Sequence, residues 1–483
     1  MNNQKNISYQ FLPFNFGQID EDYLITNEGG EYYFLNKENF YKFVKSTLDD
    51  TAILYDLKSK NFIAFDDLSL SLNMLATKYR TRKSFLKHFT CLHMMVITLR
   101  CNHRCKYCQV SSKDKVDYKF DMSPETAEKI LEHIFCSPSK NIKIEFQGGE
   151  PLLNWETLSK TVLLAEQMNK HYQKQLEFVV CTNLTLIDSE KLEFIKAHKI
   201  QISTSLDGPK IIHDKNRVYN TDKGSYDDFL KKLKLTRQTL GKDSASALVT
   251  ITKDSLYHLK EVIDEYKDLG FSGIFLRSLN PYGDAIINKS EVGYENKEFL
   301  QAFEDALDYI IKLNLEGFYF PEYFTTLLLT RILTSFSTGF VDLQSPAGAG
   351  ISGAIYDYNG DVYPADEGRM LARMGDKKFL MGNVFKNSYK ENFTGSLLTE
   401  IVEKSCLDIM PGCSSCVFKS YCGADPIRNY LENNDLMGNR SISGFCQKHK
   451  GIFEIIFRKL KTNDSKIIDI FWSWLTNRKK YEN

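Results

Sequence analysis

The sequence predicts an α/β protein organised around a parallel barrel of six βα units that does not close. Two observations carry this. Strand-like runs recur at Met94–Leu99, Lys143–Phe146, Leu176–Cys181, Gln201–Leu206, Ala247–Ile251 and Gly273–Leu279, with helical patterns between them; such alternation builds parallel sheets. The groups able to do chemistry gather where those runs end: Cys101, Cys105 and Cys108, then Gly148-Gly149-Glu150-Pro151, Thr182-Asn183, Ser205-Leu206-Asp207-Gly208 and Arg277. Sites in parallel βα architectures form at the carboxyl ends of the strands. A barrel left open at one side has a lateral mouth wide enough for a peptide.

Composition sets the bounds. At 483 residues the chain exceeds one ordinary core and predicts two to four domains. Lys+Arg and Asp+Glu number 62 each, so no global field draws nucleic acid or an anionic membrane. No apolar run reaches the roughly 18 residues a membrane helix needs, and Asn2 to Phe16 lacks a charged-then-apolar signal pattern. The expected location is cytoplasmic. Eleven cysteines, most of them in two clusters, fit metal clusters in a reducing compartment better than a disulfide framework.

In chain order, residues 1–90 form an α+β unit. Glu21 to Phe34 alternates around Asn27-Glu28-Gly29-Gly30 as a hairpin does. Phe40, Phe43, Val44 and Leu48, and then Leu68, Leu72, Leu75 and Tyr79, keep helical spacing, with a short strand expected at Ala52 to Leu57. Residues 91–285 are the barrel, in which Ser123-Pro124 opens one helix and Gly270 closes another. Residues 286–345 are a helical bridge, with Phe299, Phe303, Leu307 and Ile310 at core spacing. A boundary falls at Pro346–Gly350, and Asn359-Gly360 centres a second hairpin from Ala354 to Tyr363. Residues 346–450 form a cysteine-rich domain and 451–483 a C-terminal helix. Cys91, Cys136 and Cys181 stand alone and read as buried thiols, as Met94 and Met95 read as core.

Three thiolates spaced CxxxCxxC on a short loop can hold three irons of a [4Fe–4S] cluster and leave the fourth open to a chelating ligand. From the residues alone, a zinc site completed by His103 is the competing reading. Cys413, Cys416, Cys422 and Cys446, with Cys406 as a fifth candidate, suit either a fully ligated cluster or structural zinc.

Cys101, Cys105 and Cys108, with Tyr107 before the third, resemble the signature of the radical SAM superfamily, and Gly148–Pro151 resembles its GGEP motif. The resemblance implies a catalytic [4Fe–4S] cluster binding S-adenosylmethionine. Tyr107, Gly148, Gly149, Glu150, Pro151, Asn183, Ser205, Thr250 and Arg277 would be its cofactor contacts. The last four residues are otherwise explained as helix caps and as a partner for a neighbouring acid. Downstream of such a barrel the second cysteine set resembles the SPASM domain of peptide-modifying radical SAM enzymes, which implies iron and sulfur there. Such domains commonly carry seven cysteines for two auxiliary clusters. Here the early one falls within Ser345-Pro346-Ala347, the hairpin one reads Ala365 and a later one reads Pro426, so one auxiliary [4Fe–4S] cluster is implied.

The hairpin motif Gly360–Arg369, the run Gly423–Pro426 and the N-terminal unit together resemble the maturases of the His-Xaa-Ser repeat system. Asp366 stands where anaerobic sulfatase-maturating enzymes carry a catalytic carboxylate, and a hydrogen-bonded turn acid is its other reading. The N-terminal unit resembles winged-helix-like leader-recognition domains in element order, with a structural cap as the alternative. The implied activity is reductive cleavage of S-adenosylmethionine to a 5′-deoxyadenosyl radical that modifies a ribosomally made peptide or protein. A flavodoxin- or ferredoxin-type reductant is implied with it. A small-molecule or carbohydrate substrate, and a redox-sensing role without turnover, are the alternatives.

Overall fold

The computed structural model describes residues 8–478. The chain divides into two compact units: one of His88–Phe324 and Gly348–Glu403, the other of the residues up to Lys87, Thr325–Ala347 and those from Lys404.

The first unit is built on a nine-stranded sheet. Its strands are β1 (Leu92–Thr98), β2 (Asn141–Gly148), β3 (Gln175–Cys181), β4 (Gln201–Ser205), β5 (Ala245–Ile251), β6 (Leu276–Ser278), β7 (Gly353–Tyr356), β8 (Asp361–Tyr363) and β9 (Gly382–Asn383). They lie in the order β6-β5-β4-β3-β2-β1-β7-β8-β9. All neighbours from β6 to β7 are parallel, and β7, β8 and β9 pair antiparallel. All six expected barrel strands are present. Val96, Ile97, Ile144, Phe146, Val180, Val249 and Ile251 are fully buried, as fits strands covered by crossover helices. Helix α1 (Pro124–Phe135) begins where Ser123 accepts a hydrogen bond from Thr126 N at 3.1 Å. Helix α2 (Leu259–Asp268) ends before Gly270, whose φ of +72° reverses the chain. The bridge carries α3 (Asn296–Leu315), with Phe299, Phe303, Leu307 and Ile310 all buried.

The second hairpin does more than the sequence reading gives it. β7 pairs in parallel with β1, Gly353 opposite Leu92 and Tyr356 opposite Met95. The hairpin thus extends the barrel sheet, and the segment 346–450 is divided between the two units. Gly353 suits this close approach, since a Cβ there would stand 3.3 Å from Leu92 O.

In the other unit, strands Phe14–Ile19, Asp22–Asn27 and Tyr32–Leu35 form an antiparallel meander. The expected hairpin is its second half. The stretch expected as a strand at 52–57 is instead helix Thr51–Ser59. Asp50 caps it by accepting from Ile53 N at 3.1 Å, and Leu54 and Leu57 share its buried side. Helices Lys37–Val44 and Leu68–Arg82 and a two-stranded antiparallel sheet of Gln10–Phe11 with Ile63–Ala64 also belong to the N-terminal part. In place of one helix from 451, two run Gly444–Lys461 and Ser465–Thr476, broken at Asn463 with φ +51°.

Arg82 ties this unit together. Its buried guanidinium donates to Gly29 O (2.7 Å), Ser420 O (3.1 Å), Arg331 O (2.8 Å) and Thr334 O (3.0 Å), carbonyls from three distant segments. Arg82→Ala should cost about 3 kcal/mol by stranding those acceptors. The exposed Arg80→Ala on the same helix should stay within about 0.5 kcal/mol. Thermal and denaturant unfolding of the two variants checks this.

Candidate functional site

The loop Cys101–Cys108 leaves β1 and is pinned from several sides. Arg104 N donates to Val218 O (2.7 Å), Lys106 N to Asn216 O (3.1 Å), Asp284 N to Cys108 O (2.8 Å) and Asn288 Nδ2 to Lys106 O (2.7 Å). Gly283, at φ +55°, passes so close that a Cβ would stand 2.6 Å from Cys108 O. Tyr107 is buried, and its hydroxyl contacts both oxygens of Asp207 at 2.9 and 2.6 Å. Arg217 Nε stands 3.1 Å from Asp207 Oδ1, and its guanidinium lies over the Tyr107 ring, 5.4 Å from the centroid. The Tyr107 hydroxyl is therefore spent on anchoring the loop to the end of β4.

The GGEP segment locks against the entry to that loop. Gly149 N donates to Thr98 O and Glu150 N to Arg100 O, both at 2.8 Å. A Cβ on Gly148 would stand 2.0 Å from Thr98 O and one on Gly149 2.3 Å from Arg100 O, so both positions require glycine. Pro151 begins a short 3-10 turn, Pro151–Asn154. Glu150 is fully buried. Its carboxylate accepts from Thr182 Oγ1 (2.7 Å), Leu152 N (3.1 Å) and Asn183 N (2.7 Å). Burial outweighs these bonds and pushes its carboxyl up to about 7. A cation placed against it would draw it back to the ionised form.

The cysteine chemistry fits a cluster. All three signature thiols are free, and Cys101 feels both Cys105 and Cys108. Burial drives Cys101 well above its ordinary range and Cys105 up to about 12. Three mutually repelling sulfurs in a dry loop are costly as bare thiolates, and bound iron compensates that charge. Among the described residues, no three His, Cys, Asp or Glu side chains are gathered as a single ion requires.

In the second unit Cys413, Cys416, Cys422 and Cys446 line one cavity with Phe418, Phe445, Arg440 and Lys450. Burial pushes the Cys413 thiol up to about 11, with Arg440 opposing. Cys406 is not among the lining residues. Its Sγ stands 3.4 Å from Asp408 Oδ2, and that carboxylate also pairs with Lys83 at 3.2 Å. Four thiols thus share the cavity, and Cys406 stands outside its lining. Ala365 and Pro426 occupy two of the expected further ligand positions, and neither can bind iron.

The remaining expected contacts are distributed along the strand ends. Asn183 follows β3; its Nδ2 donates to Asn102 Oδ1 (2.8 Å) and its Oδ1 accepts from Thr185 N (3.0 Å), which links β3 to the signature loop. Ser205 ends β4, half-buried, while Thr250 is buried in β5 opposite Arg277 of β6. Asp366 opens α4 (Asp366–Arg373) and accepts from Arg369 Nε at 2.8 Å. Of the solitary cysteines, Cys136 is exposed, contrary to expectation, because it caps the C-terminus of α1. Cys91 and Cys181 are half-buried, and so is Met94, while Met95 is core.

Several site residues escaped the sequence reading. Arg217 and the anchoring role of Asp207 have no local signature, since ten residues separate them. Glu145 was legible in principle, being a charge between the apolar Ile144 and Phe146 of a barrel strand. Arg369 was too, because i, i+3 spacing on a helix pairs it with Asp366.

Residues 95–265 match the Radical SAM superfamily and constitute a Radical SAM domain. The cysteine-type anaerobic sulfatase-maturating enzyme of Clostridium perfringens is 25% identical over 376 residues, spanning 74% of this chain and 94% of that protein. The radical SAM cyclopropyl synthase TigE of Paramaledivibacter caminithermalis is 29% identical over 206 residues, 39% of this chain and 41% of its own. Among solved structures, native anSMEcpe with bound AdoMet superposes with a TM-score of 0.64 at 20% identity, covering 77% of this chain and 98% of that one. Streptococcus suis SuiB bound to precursor peptide SuiA gives 0.53 at 14% identity, covering 91% and 100%. These two likenesses establish a shared fold.

A pH dependence follows from Glu150. Its folded value near 7 lies above the ordinary 4.5, so the folded state favours the proton. Its contribution is full below the ordinary value and is lost as pH rises through 7. In protein prepared without cluster or S-adenosylmethionine, wild type should lose up to about 3 kcal/mol relative to Glu150→Gln between pH 4 and pH 8. Urea unfolding across that range measures the gap; a constant gap would refute the assignment.

Proposed function

We propose that this chain is a radical SAM enzyme that modifies a ribosomally made peptide or protein. The observation that carries the proposal is the juxtaposition at the carboxyl ends of β1 and β2: three thiols on a pinned loop, locked by backbone hydrogen bonds to the Gly-Gly-Glu-Pro segment. When bound, a reduced [4Fe–4S] cluster with S-adenosylmethionine supplies a 5′-deoxyadenosyl radical able to take a hydrogen atom from substrate. Cys101, Cys105 and Cys108 would hold the cluster, with one iron left for the amino and carboxylate groups of S-adenosylmethionine.

The chain's own residues do the rest. Glu150 would serve as a buried acceptor for the amino group of S-adenosylmethionine, and Tyr107, Asp207 and Arg217 keep the loop from shifting. Asn183, Ser205, Thr250 and Arg277 offer polar contacts along the strand ends, and Asp366, paired with Arg369, is the candidate catalytic carboxylate. Cys413, Cys416, Cys422 and Cys446 would hold one auxiliary [4Fe–4S] cluster, and a flavodoxin- or ferredoxin-type protein would deliver the electron.

The peptide reading is supported by the relatives, which include a sulfatase-maturating enzyme and a SuiB structure bound to its precursor peptide. A leader segment docks on the N-terminal unit, whose three-stranded sheet has outer strands able to accept another. Helix Leu68–Arg82 beside it shows Leu70 and Met74, 69% and 48% exposed, one turn apart.

Two measurements test this. Reconstituted protein should carry about eight irons, and the triple replacement of Cys101, Cys105 and Cys108 by Ala about four, with no 5′-deoxyadenosine formed; cleavage surviving in Cys105→Ala would sink the catalytic assignment. Co-expression with the short reading frames beside its gene should yield a peptide of altered mass. Leu70→Asp with Met74→Asp should weaken binding of that peptide about ten-fold while leaving peptide-independent cleavage unchanged. Unaltered affinity by titration would make the N-terminal unit a structural cap.

A further inference from the structure

Helix α4 brings Arg369 into the interior next to β8. The side chain is fully buried, and its guanidinium uses only one edge: Nε donates to Asp366 Oδ1 at 2.8 Å, and Nη2 stands 2.7 Å from the same oxygen. Nη1 has no partner among the described residues. The hydroxyl of Tyr363, also fully buried, has none either. Burying such a donor unpartnered costs about 1–3 kcal/mol. Two of them in one region point to an acceptor that arrives from outside.

Sheet register shows where that acceptor would sit. Tyr363 pairs with Ile355, Ile355 with Met94, and Met94 with Glu145, so Tyr363 and Glu145 share one face of the sheet across four strands. Arg369 interacts electrostatically with Cys108 as well as with Asp366 and Asp357. Asp366 in turn acts on Glu145 and Cys181. Arg369 is thus within electrostatic range of the third signature cysteine, and its partner Asp366 within range of Glu145 and Cys181 on that face.

Local charge is already balanced, because Asp366 answers Arg369 and Asp357 pairs with Arg373. What is left unspent is hydrogen-bond donation rather than charge. That suits a neutral carbonyl oxygen, the acceptor a peptide carries at every residue, better than a carboxylate. We propose that Arg369, with Tyr363, is a substrate-binding residue that holds a peptide carbonyl next to the residue that loses its hydrogen. This rests on the peptide reading above.

The probe is the peptide that wild-type protein converts on co-expression. With cluster-loaded, unreduced protein, calorimetry gives the affinity for that peptide and for S-adenosylmethionine. With reduced protein, KM, kcat and the ratio of product to 5′-deoxyadenosine follow. Arg369→Gln should weaken peptide binding about ten-fold and lower the product ratio, with S-adenosylmethionine affinity and peptide-independent cleavage within about two-fold of wild type. Arg369→Lys, which keeps a donor, should recover part of the loss, and Tyr363→Phe should show the same pattern more weakly. A parallel fall in S-adenosylmethionine affinity would overturn the proposal by moving Arg369 to the cofactor, and an unchanged peptide affinity and product ratio would overturn it outright. If Arg369→Gln does not fold, Arg369→Lys and Tyr363→Phe decide on the same readouts. Failure of wild type to convert any neighbouring peptide would instead count against the peptide reading.

Discussion

The arrangement depends on one buried charge. Asp207 has no exposure to solvent and sits where β4 ends. An unpaired carboxylate there would be untenable. Arg217 and the Tyr107 hydroxyl resolve it, and because Tyr107 belongs to the signature loop, neutralising Asp207 also fixes where Cys105 and Cys108 point. Breaking one partner of such a set costs more than the set contributes as a whole, since the remaining charge stays buried. Cluster geometry and barrel integrity are thereby linked: the loop cannot move without exposing a charge, and the strand end cannot fray without releasing the loop.

A second lock works through backbone alone. Gly148 and Gly149 run so close to Thr98 and Arg100 that any side chain would collide with a carbonyl. The Gly-Gly pair is thus explained by contact between the two loops before any ligand is considered. Glu150 follows directly, carried into a dry position by residues that have no freedom of their own. Thr182 and Asn183, at the end of the next strand, supply two of its three donors. Three successive strand ends are joined in this way into one rigid platform.

Much of this was legible in the sequence, for identifiable reasons. The barrel strands are apolar runs bounded by polar ends, and their helices carry caps such as Ser123 and Gly270 whose meaning is local. The hairpin at Asn359-Gly360 is equally local. What was not legible depends on partners far away in the chain. The helix at Thr51–Ser59 is short enough to mimic a strand, and its cap, Asp50, is the feature that distinguishes it. The Asp207–Arg217 pairing, the four carbonyls on Arg82 and the seating of β7 on β1 are tertiary facts with no periodicity. Cys406 reads as a fifth candidate ligand because spacing cannot tell which way a thiol turns, and in the structure its Sγ stands beside Asp408.

The seating of β7 on β1 has a temporal side. Gly353 pairs with Leu92 across 261 residues, so the sheet's first strand has to wait for more than half of the chain before that flank is covered. Until then a growing polypeptide carries a strand of unsatisfied amides and carbonyls beside the loop that takes iron. Contacts of such high sequence separation form late and slowly. During synthesis its thiols therefore emerge from the ribosome long before the wall that shelters them.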